Sequence, residues 1–138
     1  MTLLYAGIAL LALVGLADAV YLTAEHLAGR HAQCTILTGC ATVLGSEYAT
    51  IAGLPLAGFG AVAYFTAFSL ATLAAFGTSW ARSLLPALAA VMFATTLWLL
   101  YLQAFVLEAF CEYCLLSAGV TTLLTILVAV GWRLRPRT

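Results

Sequence analysis

Residues 110–132 read FCEYCLLSAGVTTLLTILVAVGW, a C-x-x-C motif followed at once by an uncharged apolar run. Cys111 and Cys114 are three residues apart, so they lie on the same face of a helical turn. A helix N-terminus carries partial positive charge, which favours thiolate over thiol. The thiolate is the nucleophile in disulfide exchange, so this placement suits a redox dithiol. Because the apolar run is long enough to span a membrane, we expect the pair at the bilayer edge.

Composition indicates that the whole chain is a membrane protein. Of its 138 residues, 65% are apolar and only 7% are Asp, Glu, Lys or Arg, whereas ordinary globular domains carry roughly 25% charged residues. The sequence therefore predicts an integral membrane protein of the all-α class, with a single domain over residues 1–138. Because the formal net charge is zero, we expect no nucleic-acid partner.

Three further apolar runs complete a predicted bundle of four transmembrane helices. They cover Thr2–Leu22, Leu54–Gly77 and Leu84–Leu107, and about 20 helical residues suffice to cross the hydrocarbon core. A cleaved signal peptide is the alternative interpretation of the first run, but no basic segment precedes it. The long polar-to-mixed connection at Thr23–Gly53 is of a length that is uncommon and usually functional.

Prolines and a serine indicate where two of these spans begin. Pro55 suits the first turn of the second span. Ser83 is a candidate N-cap of the third span, with Pro86 tolerated in its first turn.

The arginines predict how the bundle is oriented. Arg82 lies between the second and third spans, and Arg133, Arg135 and Arg137 follow the fourth. The positive-inside rule places these residues and both termini in the cytoplasm. The long connection and all four cysteines then face the outside of the inner, cytoplasmic membrane, where disulfides persist.

Two other interpretations of Cys111 and Cys114 remain open. The pair is either inert and buried in a helix, or half of a zinc site, since C-x-x-C is also a metal-binding spacing. A Cys₄ site would need Cys34 and Cys40 to converge with it, and their five-residue gap is unusual for a zinc knuckle. We therefore expect a redox pair and no metal.

Cys34 and Cys40 form a second pair, in the long connection. If it were the only pair, it would be interpreted as a structural disulfide, a staple that only stabilises the long connection. Two dithiols on one surface instead favour a relay, in which a mobile pair meets a soluble partner and a fixed pair meets a membrane component. Gly39 supplies backbone flexibility beside Cys40.

Asp18 lies within the first span, towards its outer end. Intramembrane carboxylates are costly and usually functional. The functional interpretation is a proton acceptor in a relay, because oxidation of two thiols releases two protons and reduction of a quinone consumes two. Snorkelling to the interface, or a bond to a neighbouring helix, is the alternative.

The chain resembles the vitamin K epoxide reductase family in its bacterial form. The two Cys pairs with a serine between them are the specific part of the resemblance, which spans essentially the whole chain. The residues that carry it are Cys34, Cys40, Ser46 within residues 43–49, Gly53-Leu54-Pro55, Gly58 and Cys111-Glu112-Tyr113-Cys114.

The resemblance implies a four-helix bundle around a quinone such as ubiquinone or menaquinone. Cys114 would be the thiol that meets the quinone, with Cys111 as its partner. Cys34 and Cys40 would pass electrons from a thioredoxin-like protein to Cys111, and bacterial members run as oxidases that supply disulfide formation. We expect the quinone pocket to include, beside Cys114, the residues Leu44, Ser46, Leu54, Leu107 and Ala118.

The chain departs from the family pattern in three places. Leu54 and Ala118 stand where vertebrate members carry Asn and Tyr, which puts vitamin K epoxide reduction in doubt. Many bacterial members carry a fused thioredoxin-like domain, whereas this sequence ends at Thr138. We therefore expect the thioredoxin-like disulfide carrier to be a separate protein.

Three rival functions remain. A quinone or vitamin K epoxide reductase of the vertebrate type would use the same four cysteines. A metal-ion transporter would hold thiols along its path, but the first three spans contain no cysteine. A structural membrane subunit would use both pairs as staples only.

Overall fold

The computed structural model describes residues 2–28, 50–51, 54–106 and 112–134. Within these ranges the chain forms four long helices: α1 (Thr2–Leu27), α2 (Leu56–Ala75), α3 (Ser79–Tyr101) and α4 (Glu112–Leu134). Each contains a stretch long and apolar enough to cross a membrane. The protein is thus a multi-pass membrane protein, and the predicted all-α class with four spanning helices is confirmed.

The four helices pack in a ring. α1 contacts α2 and α4, and α3 contacts the same two helices, so α2 and α4 lie diagonally opposite across the bundle. Lipid tails are as apolar as the helices, so close packing rather than escape from water holds such helices together. Small side chains allow this approach, and the buried core is rich in alanine: Ala12, Ala19, Ala67, Ala71, Ala74, Ala81 and Ala89.

The outer surface of the bundle is apolar as well. Leu10, Val62, Phe65, Val91 and Leu123 are all largely exposed, as expected of side chains that face lipid rather than water. Aromatic residues mark both ends of the spans. Trp98 stacks on Tyr101, with ring centroids 5.9 Å apart, while Trp80 and Trp132 lie exposed near the other end. Such aromatic belts are typical of the two membrane interfaces.

Gly77 ends α2 and reverses the chain. Its φ of 96° lies in the left-handed region, which glycine adopts without steric cost. The Gly77 N–H donates to the Ala74 carbonyl and the Thr78 N–H donates to the Leu73 carbonyl, both at 3.0 Å. These two bonds form a Schellman motif, which satisfies the last carbonyls of the helix.

α3 begins earlier than the sequence predicts. Its N-cap is Thr78 and its first residue is Ser79, so the prediction of Ser83 as the cap is wrong. Pro86 lies inside the helix rather than in its first turn, and it removes the N–H that would bond the Arg82 carbonyl. Thr78 is both the last residue of the Gly77 turn and the N-cap of α3, so the helix begins directly after the turn.

Two further boundaries differ from the predicted ones. α1 continues to Leu27, so residues 23–27 belong to the helix and not to the long connection. Thr50–Ile51 pairs antiparallel with Leu54–Pro55, so Pro55 precedes α2 instead of lying in its first turn. The Thr23 hydroxyl donates to the Ala19 carbonyl at 2.8 Å, a local bond that lets threonine stay in a helix.

Arginine joins three helices at the end of the bundle where α3 begins. The Arg82 guanidinium donates from Nε and Nη2 to the Ala74 carbonyl, both at 3.4 Å. It also lies over the Tyr5 ring of α1, 5.8 Å from the centroid, as in a cation–π contact. Arg133 lies in the last turn of α4, at this same end.

Candidate functional site

Cys114 lies in the first turn of α4, at the opposite end of the bundle from Arg82. The helix begins at Glu112, and the Cys114 side chain is half-buried. The first N–H groups of a helix have no intrahelical acceptor, and together they carry partial positive charge. A negative charge on the Cys114 sulfur is therefore favoured by the backbone that holds it.

An aromatic pair fixes this end of α4 against α1. The rings of Tyr21 and Tyr113 are 5.5 Å apart between centroids, tilted by 43°. Tyr113 directly precedes Cys114, and Asp18 lies three residues before Tyr21 on α1. The carboxylate and the thiol are thus carried by neighbouring helices at similar depths.

In the part of the chain that the structure describes, buried polar side chains are confined to the half of the bundle that holds Cys114. Among the described residues these are Asp18, 8% exposed, and Gln103 and Thr121, each 2% exposed. Gln103 belongs to a π-helical turn, Leu102–Val106, that continues α3, and such turns often occur at functional sites. Because burial of polar groups is costly, their concentration below the thiol end marks the candidate site.

Tyr64 is the centre of a hydrogen-bonded cluster inside this half. Its side chain is 3% exposed and reaches from α2 across the bundle to α4. The hydroxyl lies 2.6 Å from Ser117 Oγ and 2.8 Å from Thr121 Oγ1, and it donates to the Ser117 carbonyl at 3.1 Å. Ser117 is three residues beyond Cys114 on α4, so the cluster lies on the helix face just below the thiol.

A glycine on α1 makes the position of Tyr64 possible. Gly15 is buried, and a Cβ built on it would overlap the Tyr64 ring. One turn further along α1 comes Asp18, which is also buried. The Tyr64 ring thus packs against α1 one turn from Asp18, while its hydroxyl bonds the hydroxyls of α4.

The structure brings together part of the predicted site. Cys114 and Ala118 lie one turn apart on α4, both half-buried, and Asp18 is buried nearby on α1. Leu54 lies in the short strand before α2. The other predicted residues lie outside the described ranges: Cys34, Cys40, Leu44, Ser46, Leu107 and Cys111.

Sequence reasoning missed Tyr64, Ser117, Thr121 and Gln103. Ser117 and Thr121 could have been predicted from the sequence. They follow Cys114 by three and seven residues, which is the spacing of one helix face. Nothing local identified Tyr64, since its partners are 53 and 57 residues away. That contact depends on which helices lie diagonally opposite.

These features define a class of protein: a membrane-spanning four-helix bundle with a C-x-x-C cysteine in the first turn of its last helix. A sequence model of a protein family, described as "Vitamin K epoxide reductase family", matches residues 6–129 of the chain. The chain belongs to this family, and the predicted membership is confirmed. Family members are generally oxidoreductases, so the chain is assigned a redox function in a membrane.

Proposed function

We propose that the protein is a quinone-dependent thiol oxidase that supports disulfide formation outside the inner membrane. The observation that carries the proposal is Cys114 itself, half-buried in the first turn of α4 with buried polar groups beside it, in a chain of this family. The reduced substrate would be a separate thioredoxin-like disulfide carrier. Ubiquinone, menaquinone or a related quinone would be the electron acceptor.

The proposed electron path uses both cysteine pairs. A thiolate of the reduced carrier attacks the Cys34–Cys40 disulfide, and the carrier leaves oxidised. The Cys34–Cys40 dithiol then reduces Cys111–Cys114 by a second exchange. In total, two electrons and two protons leave the carrier dithiol and are taken up by the quinone, which becomes a quinol.

The residues around Cys114 would suit a quinone. Its ring requires apolar walls, and its two oxygens require hydrogen-bond donors. Ala118 and Leu115 supply apolar surface beside the thiol, and the Ser117 hydroxyl lies on the same helix. The bound quinone supplies the two-electron acceptor for the dithiol.

The protein's own residues would prepare the thiol for this reaction. The N-terminus of α4 stabilises negative charge on Cys114, and the Tyr21–Tyr113 contact holds that turn in place. Asp18 would accept a proton released by the dithiol. These groups lie in an apolar bundle, where electrostatic interactions are stronger than in bulk water.

A cysteine series tests the proposal and separates the two pairs by role. Cys114→Ser should abolish electron transfer to a short-chain ubiquinone, measured by quinone absorbance, yet still exchange with a reduced thioredoxin-like protein. The Cys34→Ser, Cys40→Ser double variant should behave in the opposite way. It should fail with the protein reductant but still reduce the quinone with dithiothreitol, which opens Cys111–Cys114 directly.

Two outcomes would count against the proposal. If the double variant oxidised the protein reductant at the wild-type rate, the relay would be wrong and Cys34–Cys40 would be a structural staple. If the unaltered chain reduced no quinone with either reductant, the thiol oxidase function itself would fail. Trapping a mixed disulfide from the single Cys→Ser variants, followed by mass spectrometry, would identify the carrier.

A further inference from the structure

We propose that Tyr64 carries protons between the Cys114 end of α4 and the Asp18 carboxylate of α1. The proposal rests on the thiol oxidase function above and adds to it a residue from α2, which holds no cysteine. Tyr64 acts through Ser117, which its hydroxyl bonds, so it is a positioning residue for the proton and not a catalytic one.

The hydrogen bonds of Tyr64 have the form that proton transfer requires. A phenol hydroxyl and a serine or threonine hydroxyl can each donate one bond and accept others. In the pairs with Ser117 Oγ, at 2.6 Å, and Thr121 Oγ1, at 2.8 Å, either oxygen can be the donor. The donor and the acceptor in each pair can therefore exchange, as a proton relay through these hydroxyls requires.

The two ends of the chain are an acid and a base of the proposed reaction. Ser117 follows Cys114 by three residues and shares its helix face. At the other end, Asp18 is buried one turn along α1 from Gly15, the residue against which the Tyr64 ring packs. An apolar bundle gains no packing from a buried carboxylate, so a role in moving charge explains its presence better than a structural one.

Other titratable groups on the helices around Tyr64 lie elsewhere. In the described part of α1, Tyr5 is near the opposite end and Tyr21 is at the outer rim. Arg82 of α3 and Arg133 of α4 are both at the end opposite Cys114. Tyr113 of α4 lies with Tyr21 at that rim, and the exposed Tyr101 lies near the same end of α3. Among the described residues of α1 and α4, Asp18 and Cys114 are thus the ionisable groups nearest along their helices to the Tyr64 cluster.

The step moves one proton and no electrons. In the proposed step the Sγ–H proton of Cys114 goes to Ser117 Oγ, Ser117 passes its own hydroxyl proton to Tyr64 across their 2.6 Å contact, and the Tyr64 proton goes to Asp18. The first and last transfers require the side chains to approach one another further and the Tyr64 hydroxyl to turn away from the Ser117 carbonyl, since its hydrogen bonds in the structure go to Ser117 and Thr121. Cys114 becomes a thiolate and Asp18 becomes a neutral carboxylic acid, while both hydroxyls end as they began. Asp18 then holds the proton until the quinone reduction of the proposed cycle consumes it.

The first test removes one oxygen atom at a time from the purified full-length chain in lipid nanodiscs. Tyr64→Phe should lower the kcat of dithiothreitol oxidation by short-chain ubiquinone by about 10²-fold or more, the range of general acid–base assistance. Tyr5→Phe is the matched control, since this buried tyrosine lies at the Arg82 end and its ring is kept. Its rate should stay within about twofold of wild type.

A double-mutant cycle tests whether Tyr64 and Asp18 act in one path. Asp18→Asn should cause a loss similar to that of Tyr64→Phe. The combined variant should be no slower than either single variant, because residues that act as a unit are non-additive. Losses that multiply would overturn the proposal.

Replacement of Tyr64 by 3,5-difluorotyrosine distinguishes a structural role of this residue from a role in proton transfer. This residue keeps the ring and the hydroxyl, so it preserves the packing even if Tyr64→Phe fails to fold. Its phenol is more acidic, so one limb of the pH–rate profile should move to lower pH. An unchanged profile, or a folded Tyr64→Phe protein with the wild-type rate, would overturn the proposal.

Failure of the proposed function would be visible separately, as a wild-type chain that reduces no quinone. The proton path would then be judged by the pH dependence of Cys114 alkylation by iodoacetamide, followed by mass spectrometry. Tyr64→Phe should change that dependence and Tyr5→Phe should not. Equal profiles for wild type and Tyr64→Phe would overturn the path.

Discussion

Tyr64 occupies space that exists because residue 15 has no side chain. The ring needs this space to extend its hydroxyl across the bundle to Ser117 and Thr121. A glycine inside a helix costs roughly 0.5–1 kcal/mol relative to alanine. Here glycine at position 15 permits a buried polar contact between α2 and α4, two helices that are not adjacent in the bundle.

We therefore predict that Gly15→Ala destabilises the protein, although alanine favours helix. The new Cβ would overlap a rigid ring, and overpacking of this kind costs about 1–3 kcal/mol. The measurement is the thermal unfolding midpoint in detergent, followed by circular dichroism. Gly119→Ala is the control, because a Cβ at this exposed position of α4 meets nothing within 4 Å, and its midpoint should be unchanged or higher. Equal midpoints for the two variants would contradict the close approach of α1 to Tyr64.

At the scale of the helices, Arg82 joins the start of α3 to two neighbours. Its guanidinium bonds the Ala74 carbonyl near the end of α2 and covers the Tyr5 ring of α1. Both contacts require that α3 already be helical at Arg82, which it is from Ser79. The early start of α3 and the Gly77 turn are thus parts of one arrangement.

Arg82→Ala should lower the free energy of unfolding by about 1–2 kcal/mol. This is less than the full sum of an exposed cation–π contact and a charged hydrogen bond, because both N···O distances are long at 3.4 Å. Arg82→Lys should recover only part of this, since an ammonium lacks the planar fork of two N–H donors. Arg133→Ala removes the same charge from the same end and serves as the control. The measurement is denaturant unfolding in mixed micelles. If Arg82→Ala and Arg133→Ala were equally destabilised, charge alone and not the contacts of Arg82 would matter.

On the scale of the whole molecule, the bundle has two chemically different ends. The described thiol and the buried polar side chains occupy one half, and Arg82 and Arg133 lie at the other end. Positive charges mark the cytoplasmic ends of membrane helices. We therefore infer that the cysteine end faces the outside of the membrane.

Membrane-impermeant maleimide tests this orientation. Applied to intact cells after reduction, it should label Cys34 or Cys40. A Ser79→Cys variant, made in a chain whose four cysteines are replaced by serine, carries its only thiol at the Arg82 end and should be labelled only after lysis. Labelling of the native cysteines only after lysis, with Ser79→Cys reactive in intact cells, would reverse the orientation.

The sequence by itself determined the number of spans, their approximate positions and the family. Long uncharged runs can lie only in a membrane or in a large core. Because only 7% of the 138 residues are charged, the sequence predicted a membrane protein. The C-x-x-C at Cys111 and Cys114 predicted a redox pair without any knowledge of packing. Helix boundaries were less certain, because the apolar signal of a span does not distinguish its helical end from an apolar turn.

Only the tertiary structure decided which residues surround the thiol. Tyr64 meets Ser117 and Thr121 because α2 and α4 lie diagonally opposite and Gly15 leaves room between them. The π-helical turn that carries Gln103 follows an apolar helix with no break in its pattern. Contacts between residues more than 50 positions apart depend on how the helices are arranged around one another, and periodicity within one helix carries no information about that arrangement.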